Sequence, residues 1–104
     1  MQRHAFKMKL KPGMTAEYKK RHDEIWPELQ KELRAAGVSD YSIFFDEETL
    51  TLFAVQKLSE GNSTSQLPDS AIVKKWWKYM APLMEVHLDN SPVTKPLAEV
   101  FHLE

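Results

Sequence analysis

The chain has 104 residues, the length of one domain spanning 1–104 around a single modest core. Fourteen Lys and Arg stand against 15 Asp and Glu, a formal charge of −1, which argues against nucleic acid as a partner because that footprint is a net basic face. Cysteine is absent, removing disulfides, thiolate nucleophiles and sulfur-ligated metals, and no apolar run reaches the roughly 18 residues of a membrane span.

Met1–Leu10 lacks the apolar core of a signal peptide, so a soluble cytoplasmic protein is expected. Arg3–Leu10 alternates, with Phe6, Met8 and Leu10 opposite Lys7 and Lys9, and this predicts a strand. Lys11-Pro12-Gly13 breaks it, and Thr15 is the expected N-cap of a helix with Glu17 in its first turn. Tyr18, His22, Ile25, Leu29, Leu33 and Ala36 then recur three or four apart as one inward stripe, closed by Gly37 at the C′ position. Pro27 lies inside that stripe. A proline costs a continuous helix about 3 kcal/mol. A break one turn after His22 is therefore predicted, with Pro27 in the first turn of a fresh helix.

Tyr41–Asp46 and Leu50–Leu58 read as two strands joined at Asp46-Glu47-Glu48-Thr49. Tyr41, Ile43 and Phe45 share one face and Phe44 lies on the other; Leu50, Leu52, Ala54 and Leu58 oppose Phe53 and Val55. Both faces are apolar, so both need cover. Helices provide one cover, and a second subunit is the expected source of the other, which predicts a homodimer. Ser59–Pro68 is polar and breaker-rich, a loop or short frayed helix. Asp69 or Ser70 is expected to cap a helix running to Met80, with Ile72, Trp76 and Met80, and Val73 and Trp77, four apart. His87–Pro96 is a predicted loop containing Asp89-Asn90-Ser91-Pro92, and Leu97–Leu103 a predicted last strand. The order β-α-β-β-α-β is the ferredoxin-like split pattern of an α+β protein.

Two clusters carry the chemistry. Tyr18 and His22 stand one turn apart on the inward stripe, next to Ile25 and near Trp26. In a closed core both polar tips would need partners, whereas a cavity mouth supplies them as water or ligand. Imidazole, with an ordinary pKa near 6.5, can donate or accept a proton at neutral pH. Trp76-Trp77 with Tyr79 and Met80 forms the second cluster. Adjacent helical residues point about 100° apart, so one Trp can enter the core while the other lines a pocket or interface. Asp89-Asn90-Ser91-Pro92 is an Asx-turn signal whose polar groups can equally bind sugar hydroxyls. His4, His22, His87 and His102 are scattered, so no metal site is expected. The three glycines are isolated, and no phosphate loop or nucleophilic triad is present, so no cofactor is expected.

Arg21-His22-Asp23-Glu24-Ile25-Trp26-Pro27-Glu28, Tyr41, Trp76-Trp77-Lys78-Tyr79-Met80, Asp89-Asn90-Ser91-Pro92 and Val100-Phe101 together resemble the L-rhamnose mutarotase family. The likeness runs from end to end and is weakest over Ser59–Asp69. It implies a ferredoxin-like subunit forming a dimeric α+β barrel, and interconversion of the α and β anomers of L-rhamnose without a cofactor. It implies His22 as proton donor and Tyr18, Tyr41, Trp76 and Trp77 as sugar-binding residues, with Asp89 and Asn90 added from their polarity and the matching motif. Two other readings use the same pocket. A cofactor-independent monooxygenase of the dimeric α+β barrel type would place a flat substrate there and consume oxygen. A non-catalytic sugar-binding module would show sugar-dependent Trp fluorescence without anomer exchange, and a plain dimerisation domain would show neither.

Overall fold

The chain builds a four-stranded antiparallel sheet with helices packed on one face, seen in a computed structural model that describes residues 2–104. In chain order the elements are β1 (Gln2–Lys9), α1 (Thr15–Asp23), α2 (Pro27–Ala35), β2 (Val38–Asp46), β3 (Thr51–Leu58), α3 (Ala71–Met80) and β4 (Lys95–Leu97). The strand order is β2-β3-β1-β4. This is the ferredoxin-like arrangement, with the first helical leg divided in two.

The division falls where Pro27 requires it. α1 ends at Asp23 and α2 begins at Pro27 as its first residue, where a missing N–H is harmless. Trp26 is extended at φ −65° and ψ 131°, the region imposed on a residue before proline. The stripe faces inward as expected: Tyr18, Leu29 and Ala36 are buried, and His22, Ile25 and Leu33 half-buried. Gly37 ends α2 with φ +100° and donates its N–H to the Arg34 carbonyl. A Cβ there would also lie 2.8 Å from that of Asn62, so both backbone and space demand glycine.

The core lies between helices and sheet. Met8, Leu52 and Ala54 from β1 and β3 meet Val73, Trp76 and Met80 from α3 and Leu29 from α2. Among the described residues, no helix covers the opposite sheet face. Register places Phe44 beside Phe53, which on its other side pairs with Lys7, and Val55 beside Ala5, which in turn pairs with Leu97. Phe44 is 63% exposed, and Phe53, Val55 and Leu97 are also exposed. No helix among the described residues is long and apolar enough to cross a membrane.

Three expectations need correction. Thr15 is the first helical residue of α1 rather than its cap; the turn at Gly13 (φ +78°) brings Met14 into that role, and its carbonyl accepts the Tyr18 N–H at 2.9 Å. Leu50 belongs to the hairpin turn with φ +57°, so β3 starts at Thr51. The polar stretch from Ser59 holds a short helix as expected, the 3₁₀ turn Thr64–Asp69, and Ser70 stands at the N-cap position of α3 without a side-chain hydrogen bond. The last strand is Lys95–Leu97 rather than Leu97–Leu103. Leu97 pairs with Ala5, and continuing that register brings Val100 opposite Gln2, where β1 begins. Residues farther on have no described strand to join, and Val100, Phe101 and Leu103 are exposed.

Candidate active site

A cavity of about 740 Å³ opens between α1, α2, α3 and the covered face of the sheet. It lies in the size range of small-molecule sites, which are mostly apolar with a few placed polar groups. Met8, Leu10, Met80 and Met84 supply apolar wall, while Tyr18 and His22 from α1, Tyr41 from β2 and Asn90 from the loop before β4 bring polar atoms from three separate segments. Trp76 and Trp77 both line it.

His22 occupies the last turn of α1, just ahead of the break that Pro27 forces. Its Nδ1 lies 3.0 Å from the Tyr18 carbonyl. A carbonyl only accepts, so Nδ1–H donates to it, and in the neutral ring Nε2 is then the bare nitrogen left for a ligand. The Tyr18 ring lies 4.3 Å from the imidazole and the Trp76 ring stands edge-on at 5.4 Å. Burial lowers the His22 pKa below its ordinary 6.5, outweighing the bond to Tyr18 and the nearby Asp23 carboxylate, which act the other way. His22 is thus neutral at pH 7.

The two tyrosines behave alike. Burial raises the Tyr18 phenol well above its ordinary range, with Tyr41 a smaller second cause, and pushes Tyr41 up to about 12. Both phenols therefore stay protonated at neutral pH and can act as hydrogen-bond donors. Tyr41 is 39% exposed and also lines the cavity. It reaches the cavity through an irregularity in β2 between Ser39 and Ser42, where Asp40 takes φ +49°.

Trp76 and Trp77 divide their work as adjacent helical positions must. Trp76 is buried, edge-on to His22 and to Trp26, whose ring centroid is 5.1 Å away. Trp77 is half-buried and presents the freer surface. Asn90 and Asp89 also part company. Asn90, at φ +70°, lines the cavity, whereas the Asp89 carboxylate accepts hydrogen bonds from the Ser91 N–H and hydroxyl and is absent from the lining. Those bonds hold the Asp89 carboxyl below its ordinary pKa. Asp89 shapes the loop that presents Asn90.

Several lining residues gave no signal in the sequence. Ser39 and Asp40 line the cavity at the irregularity in β2, and Gln30 and Arg34 line it from α2. The tie between Arg21 and Tyr79 links helices far apart in the chain; only its local half, Glu17 with Arg21 one turn on, was readable as an i,i+4 pair.

The sequence model of the L-rhamnose mutarotase family matches residues 3–103. An L-rhamnose mutarotase from Formosa agariphila is 57% identical and one from Bacteroides thetaiotaomicron 58%, each with all of both chains covered. One from Brucella anthropi is 54% identical over 98% of this chain and 96% of its own. A crystal structure of an L-rhamnose mutarotase from Formosa agariphila superposes with a TM-score of 0.94 at 56% identity, covering all of both chains. A conserved protein of Methanosarcina mazei shares the fold, with a TM-score of 0.60 at 18% identity over 91% of this chain and 88% of that one. With the segments around His22 and Trp76-Trp77 meeting in one cavity and relatives matched over their full length, this chain belongs to the L-rhamnose mutarotase family.

Proposed function

We propose that this chain, acting as one domain over its whole length, interconverts the α and β anomers of L-rhamnose, with His22 Nε2 as the atom that moves the proton. The observation that carries this reading is the half-buried imidazole with Nδ1 held by Tyr18 and its ring facing a sugar-sized cavity. Neutral His22 takes the proton of the anomeric hydroxyl at Nε2. The bond from C1 to the ring oxygen breaks, its electron pair leaves with that oxygen, and C1 becomes an aldehyde. His22 then donates the proton to the ring oxygen and is neutral again. Rotation about C1–C2 and the reverse steps close the ring from the other face. No cofactor enters this sequence of steps.

Around that atom the protonated phenols of Tyr18 and Tyr41 and the Asn90 side chain hold hydroxyls, while Trp77 packs against the C–H face of the ring. The methionine and leucine wall suits the methyl group of a 6-deoxy sugar. Asp89 acts through the loop. The setting proposed for this activity is the cytoplasm.

Because neutral His22 begins the reaction, kcat/KM from polarimetry of freshly dissolved α-L-rhamnose is expected to rise with pH through a pKa below 6.5 and to be flat above pH 7. A rate that falls as pH rises over that interval would mean the imidazolium starts the reaction. Oxygen uptake with a quinol, in place of anomer exchange, would favour the monooxygenase reading.

We also propose that a second copy covers the open sheet face. Phe44, Phe53, Val55 and Leu97 form one apolar patch, and a twofold contact makes such a patch its own complement. Sedimentation is expected to show a dimer for the parent and a monomer for Phe44→Asp; a monomeric parent would contradict it.

A further inference from the structure

We propose that Arg21 is a positioning residue for the His22 imidazole, strapping the last turn of α1 to the end of α3; this rests on the reading of His22 as the proton-moving group. α1 has only nine residues, too few for a helix to be stable by itself, and helix ends are the first parts to fray. His22 lies in that final turn, followed by the extended link that Pro27 enforces. Left to local forces, the imidazole would sit on the least constrained turn of the first helical leg.

Arg21 is the neighbouring residue, and its guanidinium makes three contacts in three directions. Its Nε–H donates to Glu17 Oε2 at 2.7 Å, one turn back on α1. Its Nη1–H donates to the main-chain carbonyl of Tyr79, in the last turn of α3, where helical carbonyls lack intrahelical donors. Its Cζ stands 4.1 Å over the centroid of the Tyr79 ring. That ring lies 5.4 Å from Trp26 and 5.8 Å from Trp76, and Trp76 is the residue edge-on to His22. One side chain therefore fixes the turn that carries the imidazole and the aromatic wall against which it rests. The bond from Arg21 also holds the Glu17 carboxyl below its ordinary pKa. A planar fork that stacks on a ring while donating along two edges is a property of arginine that lysine lacks.

The test compares Arg21→Gln and Arg21→Lys with the parent, and uses Lys20→Ala, an exposed charge on the same helix, as the control. Turnover comes from anomer relaxation, and the His22 titration from its ring-proton NMR shift without sugar. A misplacement near 1 Å can cost about 100-fold, so Arg21→Gln is expected to lower kcat by about 10–100-fold with KM nearly unchanged. Its His22 pKa should move up toward the ordinary 6.5 as the ring gains solvent. The other groups around His22, namely Asp23 beside it and the Tyr18, Tyr41, Lys19, Arg34 and Asp40 side chains in the same cavity, are unaltered, and Arg21→Lys keeps the charge. Arg21→Lys should fall between parent and Arg21→Gln on both readouts.

Parent-like turnover in folded Arg21→Gln would overturn the proposal. So would a loss that tracks the unfolded fraction alone, with the folded protein titrating as the parent does. Should Arg21→Gln fail to fold, Arg21→Lys decides by the same two readouts. If the parent itself does not exchange anomers, the proposed function fails, while the sugar-free titration still reads the strap.

Discussion

His22→Gln is expected to lower kcat/KM for L-rhamnose anomer interconversion by about 10²–10⁴-fold, the usual share of one positioned acid–base group, with the far-UV circular dichroism unchanged. Glutamine reaches about as far as histidine and its amide can still donate to the Tyr18 carbonyl, so the contact at Nδ1 has a substitute. What it lacks is a nitrogen that gains and loses a proton near neutral pH. His22 is half-buried rather than sealed in the core, so the fold survives the exchange. Sugar held by Tyr18, Tyr41 and Asn90 should still bind, and KM should change far less than kcat. Parent-like relaxation in the folded variant would remove His22 from the chemistry.

Trp76→Ala is expected to fail in a different way. Trp76 is buried among Val73, Met80 and Leu52 and contacts His22, Trp26 and Tyr79 at ring distances of 5.1–5.8 Å. Truncating such a side chain costs about 3–5 kcal/mol, a large share of the roughly 5–15 kcal/mol that holds a domain folded. At about 4 °C or more per kcal/mol the midpoint of thermal unfolding should fall by at least about 12 °C. Trp77→Ala removes a half-buried ring at the next position and should cost about 1 kcal/mol of stability while raising KM. The pair thus separates wall from ligand contact. Equal losses of stability in both variants would contradict that division.

Much of the fold was legible because it follows from local rules. The stripe from Tyr18 to Ala36, the break at Pro27 and the end at Gly37 each have a residue that compels them, and all three appear where those residues stand. The apolar character of both sheet faces was likewise written in the alternation of β2 and β3. The last strand was not, because its length depends on how much of β1 remains to pair with, a matter of register rather than composition. In the site, Tyr18, His22, Tyr41 and both Trp residues line one cavity. Asp89 and Asn90 were indistinguishable in sequence, since either can turn inward; the positive φ of Asn90 and the bonds from Ser91 to Asp89 decide between them. Arg21 was hidden for a similar reason. Its partner Tyr79 lies more than fifty positions away, and only packing brings the two together.

The central claim is that the cavity beside His22 opens and recloses the rhamnose ring. Magnetisation exchange between the two anomeric protons of L-rhamnose, recorded at equilibrium with the parent protein in catalytic amount, tests it most directly. The account predicts exchange cross-peaks at mixing times where buffer alone gives none, and their loss in His22→Gln. A parent spectrum indistinguishable from that of buffer would contradict it.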